Sequence, residues 1–172
     1  MQIARDDPTR DDVRALIEEH LTDMHATSPA ESVHALDLAG LTAPDMTFWT
    51  AREDGRLLGC GALKDLGAGE GEIKSMRTAL QARGRGVATA VLSTIVDEAL
   101  VRGLLRVYLE TGSQEHFAPA RRLYRRHGFI ERGPFADYRP DPYSVFMTLD
   151  LRERSAREAS REGRRDASAT AN

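Results

Sequence analysis

The chain has 172 residues, a formal net charge of −3 and a single cysteine, a length that suits one domain built around one hydrophobic core. The small net charge gives no sign of a nucleic-acid partner, and one cysteine cannot form an internal disulfide or a Cys-x-x-Cys metal or redox motif. Because no apolar run approaches the roughly 20 residues of a membrane span or resembles a signal peptide, we expect a cytoplasmic protein without a membrane partner.

The first half of the sequence predicts two helices, a hairpin and a strand. "DDPTRDDVRALIEEHLTDMHA" has capping residues followed by apolar residues at helical spacing, and a short second helix is expected around residues 31–38. "MTFWTARE" and "RLLGCGALKDL" are β-rich runs joined by Glu53-Asp54-Gly55, and an Asp-Gly pair in that position is typical of a hairpin. "GEIKSMRT" alternates as a strand crossing the middle of a sheet does.

The second half alternates helices and strands. A helix is predicted from Val87 to a glycine stop at Gly103, and "PARRLYRRHGF" predicts another with Pro119 in its first turn. "LLRVYLETG", "FIERG" and "SVFMTLDL" are predicted strands. The element order predicts a mixed α/β domain over residues 1–151, and the charged Ala/Ser-rich residues 152–172 are expected to form a disordered tail.

The loop "QARGRGVA" lies between a predicted strand and a predicted helix. Unpaired amides at a helix start and two flanking arginines favour an anion such as phosphate, although a glycine pair here also suits a plain tight turn. The loop lacks the Gly-Lys-Ser/Thr of a nucleoside triphosphatase and the third glycine of a dinucleotide fold, so both classes are disfavoured.

Three motifs in order resemble the GNAT superfamily of acetyl-CoA-dependent N-acetyltransferases. "EIKSMRT" is similar to its fourth strand, "QARGRG" to its Gln/Arg-x-x-Gly-x-Gly/Ala pyrophosphate loop, and "ARRLYRRHGF" to its Ala-x-x-Leu-Tyr-x-x-x-Gly-Phe element. Together with the element order, the resemblance covers about residues 3–151. It implies a central, mostly antiparallel twisted sheet with splayed fourth and fifth strands, flanked by helices.

The resemblance also implies acetyl-CoA as co-substrate and no metal. The loop would hold the CoA pyrophosphate, and backbone groups of the fourth strand would pair with the pantetheine arm. By position, the implied cofactor-binding residues are Met76, Thr78, Gln81, Arg83, Gly84, Arg85, Gly86, Val87 and Ala88.

The family transfers the acetyl group by direct attack of an amine, which requires a base for the amine and an acid for the departing thiolate. Tyr124 stands at the position of the acid, although its helix face also suits a core tyrosine. Glu72 matches an acidic position on the fourth strand and is a candidate base, with a surface glutamate as the alternative. His116 is a second candidate base, because histidine titrates near neutrality. Phe117 replaces an asparagine common in the family.

The predicted acceptor site is less specific. His34 lies in the early helical region that walls this site in the family, and Tyr138 and Arg139 lie in a long loop expected at its mouth; packing explains them equally well. We therefore expect an acyltransferase acting on the primary amine of a small or amino-acid-like acceptor. An acyl-CoA-binding sensor without turnover is the alternative. The sequence leaves the oligomeric state open between a monomer and a homodimer, although dimers are frequent in the family.

Two further features favour ordinary structural roles. The arginines of "PARRLYRRHGF" could meet the ribose phosphate of CoA or a nucleic acid, but such a run is usually a solvated helix face, and the net charge of −3 disfavours nucleic acid. Cys60, between two glycines of a predicted strand, is expected to be a small buried thiol rather than a nucleophile.

Overall fold

A computed structural model describes residues 1–27, 29 and 37–152 of the chain. Its elements are β1 (Gln2–Arg5), α1 (Asp11–Thr27), α2 (Leu38–Leu41), β2 (Met46–Glu53), β3 (Arg56–Gly67), β4 (Glu70–Thr78), α3 (Val87–Val101), β5 (Arg106–Gly112), α4 (Ala118–Arg126), β6 (Ile130–Arg132) and β7 (Ser144–Asp150). Short 3-10 turns at Leu80–Ala82 and Glu115–Phe117 precede α3 and α4.

The strands form one seven-stranded sheet in the order β1-β2-β3-β4-β5-β7-β6. Among the described strands, only β4 and β5 pair in parallel, and α3 makes the crossover between them, so the predicted mixed, mostly antiparallel sheet flanked by helices is confirmed. The predicted hairpin joins β2 and β3 through Asp54 and Gly55, both with positive φ (49° and 77°). This conformation is the one that a two-residue hairpin turn requires.

The structure adds one strand that the sequence pattern did not predict. β1 pairs antiparallel with residues 49–52 of β2 at the edge of the sheet. Because only Ile3 of this strand is even half-buried, no hydrophobic alternation marks it in the sequence. The helix expected at residues 31–38 falls largely outside the described residues, and α2 begins only at Leu38. The predicted tail also lies outside the described residues, beyond Arg152.

A β-bulge in β4 separates this strand from β5. Cys60 pairs with Arg77 and Ala62 with Lys74, so that Ser75 and Met76 together face a single residue of β3. Within the bulge, Ser75 has a positive φ of 52°. A bulge bends its strand and increases the local twist, and the β4–β5 ladder ends just before it, at the pair Ile73 and Leu109.

The core lies between the sheet and the helices. Val13, Leu16 and Ile17 of α1 are buried in the same cluster as Val91 and Ile95 of α3. A Cβ at Gly61 would meet Val91 and Ile95 at 2.9 Å, so the absence of a side chain there lets α3 lie close to β3.

Cys60 is fully buried, as predicted, and its Sγ lies 3.6 Å from the carbonyl oxygen of Ser75. Burial raises the pKa of the thiol to about 12, which keeps it protonated and unreactive at neutral pH. Within the described residues, no helix has the length and apolar character needed to cross a membrane.

Candidate active site

Two clefts open where β4 and β5 separate, and they meet at Tyr124. The larger, which we call the donor cleft, has a volume of about 560 Å³ and lies between the glycine loop and α4. The smaller, the acceptor cleft, has a volume of about 100 Å³ and is bounded by α1 and the diverging ends of β4 and β5. Both are lined by Met76, Phe117, Ala120 and Tyr124, so a group in one cleft can reach a group in the other.

The glycine loop gives the donor cleft the features of an anion site. Gly84 and Gly86 have φ of 76° and 78°, a backbone conformation that other residues rarely adopt. The first helical bond of α3 runs from the amide of Ala90 to the carbonyl of Gly86 at 3.0 Å. The amides before Ala90 therefore precede the helical ladder at the positive end of the helix dipole, where they suit a phosphate group.

Seven of the nine predicted cofactor-binding residues line the donor cleft, namely Met76, Thr78, Arg83, Gly84, Gly86, Val87 and Ala88. Gln81 and Arg85 are not among its lining residues: Gln81 is exposed, and Arg85 is bonded to Glu53 at 2.6 Å. Arg126 of α4 supplies a second cation to the cleft beside Arg83. Beyond Ile73, β4 has no partner strand on its β5 side within the described residues, which leaves that edge open to an extended ligand.

Tyr124 is buried at the junction of the clefts, with 6% of its surface exposed. Burial, together with the negative charge of Glu110, raises the pKa of the phenol well above its usual value. The hydroxyl therefore stays protonated at neutral pH and can serve as a proton donor.

Glu72 is held in a buried polar network rather than at a cleft. Its Oε1 accepts hydrogen bonds from Tyr138 Oη at 2.7 Å and from Lys74 Nζ at 3.0 Å. Neither Glu72 nor Tyr138 lines a cleft, whereas Lys74 lines the acceptor cleft. The ring of Tyr138 packs beside Phe135 and Phe146, so the network anchors the loop before β7 to the sheet.

Glu110 is the carboxylate that lines the acceptor cleft together with Tyr124. It follows the last β5 residue paired with β4, and Ser144 Oγ donates a hydrogen bond to its Oε1 at 2.8 Å. The sequence pattern does not single it out, because the apolar run "LLRVYLETG" predicts only a strand. The signal that could have pointed to Glu110 is a charged residue within an otherwise apolar strand, since charged residues are rarely buried.

Neither His116 nor Arg139 lines the acceptor cleft. His116 is exposed, lines the donor cleft and packs edge-on against Phe117 with 5.1 Å between ring centroids. Arg139 is exposed and lines neither cleft, and His34 lies outside the described residues. Among the described residues, no group of three or more His, Cys, Asp or Glu side chains is placed to hold a metal ion.

His20 of α1 also lines the acceptor cleft and was not predicted. Burial and the nearby charge of Arg77 lower its pKa from 6.5 to about 4, so the imidazole is neutral at neutral pH. Arg77 itself is bonded to Glu19 and Asp23 at 2.5 Å each, which fixes α1 against β4 and places His20 over the cleft.

The arginines of α4 divide into separate roles. Arg121 donates to the carbonyl oxygens of Gly112 and Gln114 at 2.6 and 2.8 Å and so ties α4 to the end of β5. Arg125 is bonded to Glu131, whereas Arg126 lines the donor cleft. The predicted run of cations is therefore mainly a structural and solvated face, with Arg126 turned to the cleft.

Phe117 packs tightly against Gly112 at the end of β5. A Cβ at Gly112 would lie 2.1 Å from Phe117 Cδ2, a distance at which one of the two residues must move. We expect Gly112→Ala to displace the Phe117 ring, to lower the free energy of unfolding by about 1–3 kcal/mol and to reduce activity. Urea denaturation and steady-state kinetics measure the two effects.

Gly133→Ala is the matched control for that variant, because a Cβ at Gly133 meets nothing within 4 Å. Its stability is expected to stay within about 0.5 kcal/mol of wild type. Equal stabilities of the two variants would contradict the predicted clash.

Comparison with known proteins agrees with this geometry. The family described as the Acetyltransferase (GNAT) family matches residues 11–129. The N-acetyltransferase YsnE of Bacillus subtilis (strain 168) is 52% identical over 151 residues, which cover 88% of this chain and 100% of that protein. The protein named IAA acetyltransferase of Azospirillum brasilense is 46% identical over 153 residues, covering 87% and 97% of the two chains.

Solved structures show the same fold. An acyl-CoA N-acyltransferase from Klebsiella pneumoniae subsp. pneumoniae MGH 78578 aligns with a TM-score of 0.72 and 31% identity, covering 87% of this chain and 97% of that one. The names of the relatives favour an enzyme over a sensor without turnover. On the matching family, the identity of its relatives and the shared fold, this chain is an acyltransferase that belongs to the GNAT family of acetyltransferases.

Proposed function

We propose that the protein transfers an acetyl group from acetyl-CoA to the primary amine of a small molecule by direct attack of the amine on the thioester. The observation that carries this proposal is the meeting of the two clefts at Tyr124 and Met76, one cleft suited to an anionic donor and the other smaller and lined by polar side chains. The family uses acetyl-CoA or another acyl-CoA as co-substrate.

The donor cleft has the residues that CoA requires. Amides at the start of α3 would bind the pyrophosphate, with Arg83 beside them. The open edge of β4 at Met76 and Thr78 would pair with the amide groups of the pantetheine arm. This arrangement would bring the thioester toward Tyr124, where the clefts meet.

The acceptor cleft supplies a base, and Tyr124 supplies an acid. Glu110 would take a proton from the ammonium form of the acceptor, so that the lone pair of the neutral amine can form the new N–C bond to the acetyl carbon as the C–S bond breaks. The proton that the nitrogen then loses would restore the phenol of Tyr124. Tyr124 would donate its proton to the departing thiolate sulfur. Glu72 and His116 remain candidate bases from the sequence, but neither lines the acceptor cleft, and Glu110 does.

A screen of CoA thiol release tests the proposal. The protein, at fixed acetyl-CoA, is incubated with amines, amino acids, polyamines, aminoglycosides and peptides. We expect at least one short primary amine to release thiol well above the rate of hydrolysis, with the acetylated amine identified by mass spectrometry. If acetyl-CoA binds and no amine is acetylated, the proposal is wrong.

Arg126→Ala is expected to raise KM for acetyl-CoA by roughly 3- to 10-fold with little change in kcat, because a cation lining the donor cleft contributes to binding of the anionic donor in ground and transition states alike. Steady-state kinetics with varied acetyl-CoA measure this effect. Arg122→Ala is the matched control, since Arg122 lies on the same helix and lines neither cleft. Equal KM values for the two variants would count against a role of Arg126 in donor binding.

A further inference from the structure

Two buried polar atoms without a hydrogen-bond partner belong to side chains that line the acceptor cleft. They are Nδ1 of His20 and Oγ of Ser75. A buried polar group without a partner costs about 1–3 kcal/mol, and such groups are rare enough in folded proteins to require an explanation. A ligand group that bonds to both atoms would remove this cost.

The bulge of β4 and the bonds of Arg77 to α1 fix the positions of Ser75 and His20. Ser75 is the positive-φ residue of the β4 bulge, which turns the strand out of the ladder with β5 at this point. His20 is carried by α1, which the bonds of Arg77 to Glu19 and Asp23 fix against β4. The two side chains therefore line one cleft from separate elements.

The charges around the cleft distinguish between classes of acceptor. Lys74 and Glu110 line it, and Lys74 Nζ lies 3.0 Å from Oε1 of Glu72. Lys74, Glu110 and Glu72 together carry a net charge of −1. This charge favours an ammonium group of the acceptor and disfavours a carboxylate on the acceptor. His20 adds no charge at neutral pH, because burial lowers its pKa to about 4.

The size of the cleft sets a limit as well. Its volume of about 100 Å³ is less than a fifth of the volume of the donor cleft. A space of this size favours a short amine with one further polar group.

We propose that His20 and Ser75 bind an uncharged hydroxyl or carboxamide group of the acceptor, so that the acceptor is a short primary amine carrying such a group close to its amino group rather than a free amino acid. A hydroxyl or an amide both donates and accepts hydrogen bonds, which matches a neutral imidazole nitrogen and a serine hydroxyl. This inference rests on the proposed function and names the acceptor class for the same site.

The test compares ethanolamine, glycinamide, propylamine and glycine as acceptors at saturating acetyl-CoA. Ethanolamine and propylamine have the same shape and differ by a hydroxyl against a methyl group. We expect wild-type kcat/KM to be about 10- to 100-fold higher for ethanolamine than for propylamine, because a site built to bind a hydroxyl discriminates against the analogue that lacks it. Glycinamide is expected to be favoured over glycine, because the net negative charge around the cleft disfavours a carboxylate.

Ser75→Ala is expected to reduce the ethanolamine-to-propylamine ratio of kcat/KM by at least about 5-fold. Comparing this ratio between wild type and variant cancels the difference in basicity of the two amines. His20→Leu should act in the same direction, and His20→Asn, which retains a polar atom near the position of Nδ1, should restore part of the ratio. Ser93→Ala, on α3 and outside both clefts, is the control and should leave the ratio unchanged.

Equal kcat/KM for ethanolamine and propylamine in wild type would overturn the inference, as would an unchanged ratio in Ser75→Ala or a preference for glycine over glycinamide. These outcomes would leave the proposed function intact, since amines would still be acetylated. If no amine is acetylated, the proposed function fails separately. Calorimetric titration of the CoA complex with ethanolamine and propylamine then makes the same comparison without turnover, and equal affinities would overturn the inference.

Discussion

Tyr124→Phe is expected to lower kcat by about 100-fold or more, because the variant retains the ring and loses the proton that the departing thiolate requires. The phenol is the protonated group at the junction of the clefts, and burial and Glu110 hold its pKa high. KM for acetyl-CoA should stay within about 2-fold, because the glycine loop is untouched. Steady-state kinetics with the acceptor found in the thiol-release screen measure both constants.

Tyr108→Phe is the matched control for that variant. Tyr108, on β5, is also a buried tyrosine, with 3% of its surface exposed. Its hydroxyl donates a hydrogen bond to Glu70 at 2.6 Å, and the residue lines neither cleft. Loss of the Tyr108 hydroxyl should lower the free energy of unfolding by about 1 kcal/mol and leave kcat nearly unchanged. Undiminished turnover by Tyr124→Phe would show that the departing thiolate takes its proton from another source.

Glu110→Gln is expected to lower kcat/KM by about 100- to 1000-fold at neutral pH, because an amide cannot accept the proton of the acceptor amine. The substitution keeps an oxygen that can accept the hydrogen bond from Ser144 Oγ, so the local fold should persist. The defect should shrink as the pH rises, since a larger fraction of the amine is then already neutral. A pH–rate profile of wild type and variant measures this difference.

Glu72→Gln distinguishes between the two carboxylates. We expect it to lower stability, because it leaves the buried ammonium of Lys74 without its carboxylate partner at 3.0 Å, and to retain turnover in the fraction that is folded. His116→Gln should retain turnover as well, since His116 is exposed in the donor cleft. If Glu72→Gln, properly folded, lost activity and Glu110→Gln kept it, the base would be Glu72, as the strand motif alone suggests.

The contrast between Glu72 and Glu110 shows how far a motif can locate a base. Both are glutamates on neighbouring strands, and the sequence favoured Glu72 because of its place in a family motif. The β4 bulge at Ser75 and the docking of Tyr138 decide which carboxylate meets the cleft. Neither feature leaves a mark in local sequence, because the bulge depends on pairing with β3 and Tyr138 is separated from Glu72 by 66 residues.

The donor side was far more accessible to sequence reasoning. A glycine loop between a strand and a helix has a local physical cause, because positive φ and free helix-start amides are properties of a few consecutive residues. Seven of its nine predicted residues accordingly line the donor cleft. Arg85 departs from the prediction because Glu53, at the tip of the distant β2–β3 hairpin, bonds its guanidinium at 2.6 Å.

The sequence by itself determined α1, the elements from β2 onward, the glycine loop and the family, since periodicity, turn residues and short motifs act over neighbouring positions. It left out β1, whose edge position buries too little to impose a pattern. Only the tertiary structure decided that Glu110 and His20 face one small cleft beside Tyr124. The physical reason is that this cleft is made by strand splay and by the tie of α1 to Arg77, and both depend on contacts between residues far apart in the chain.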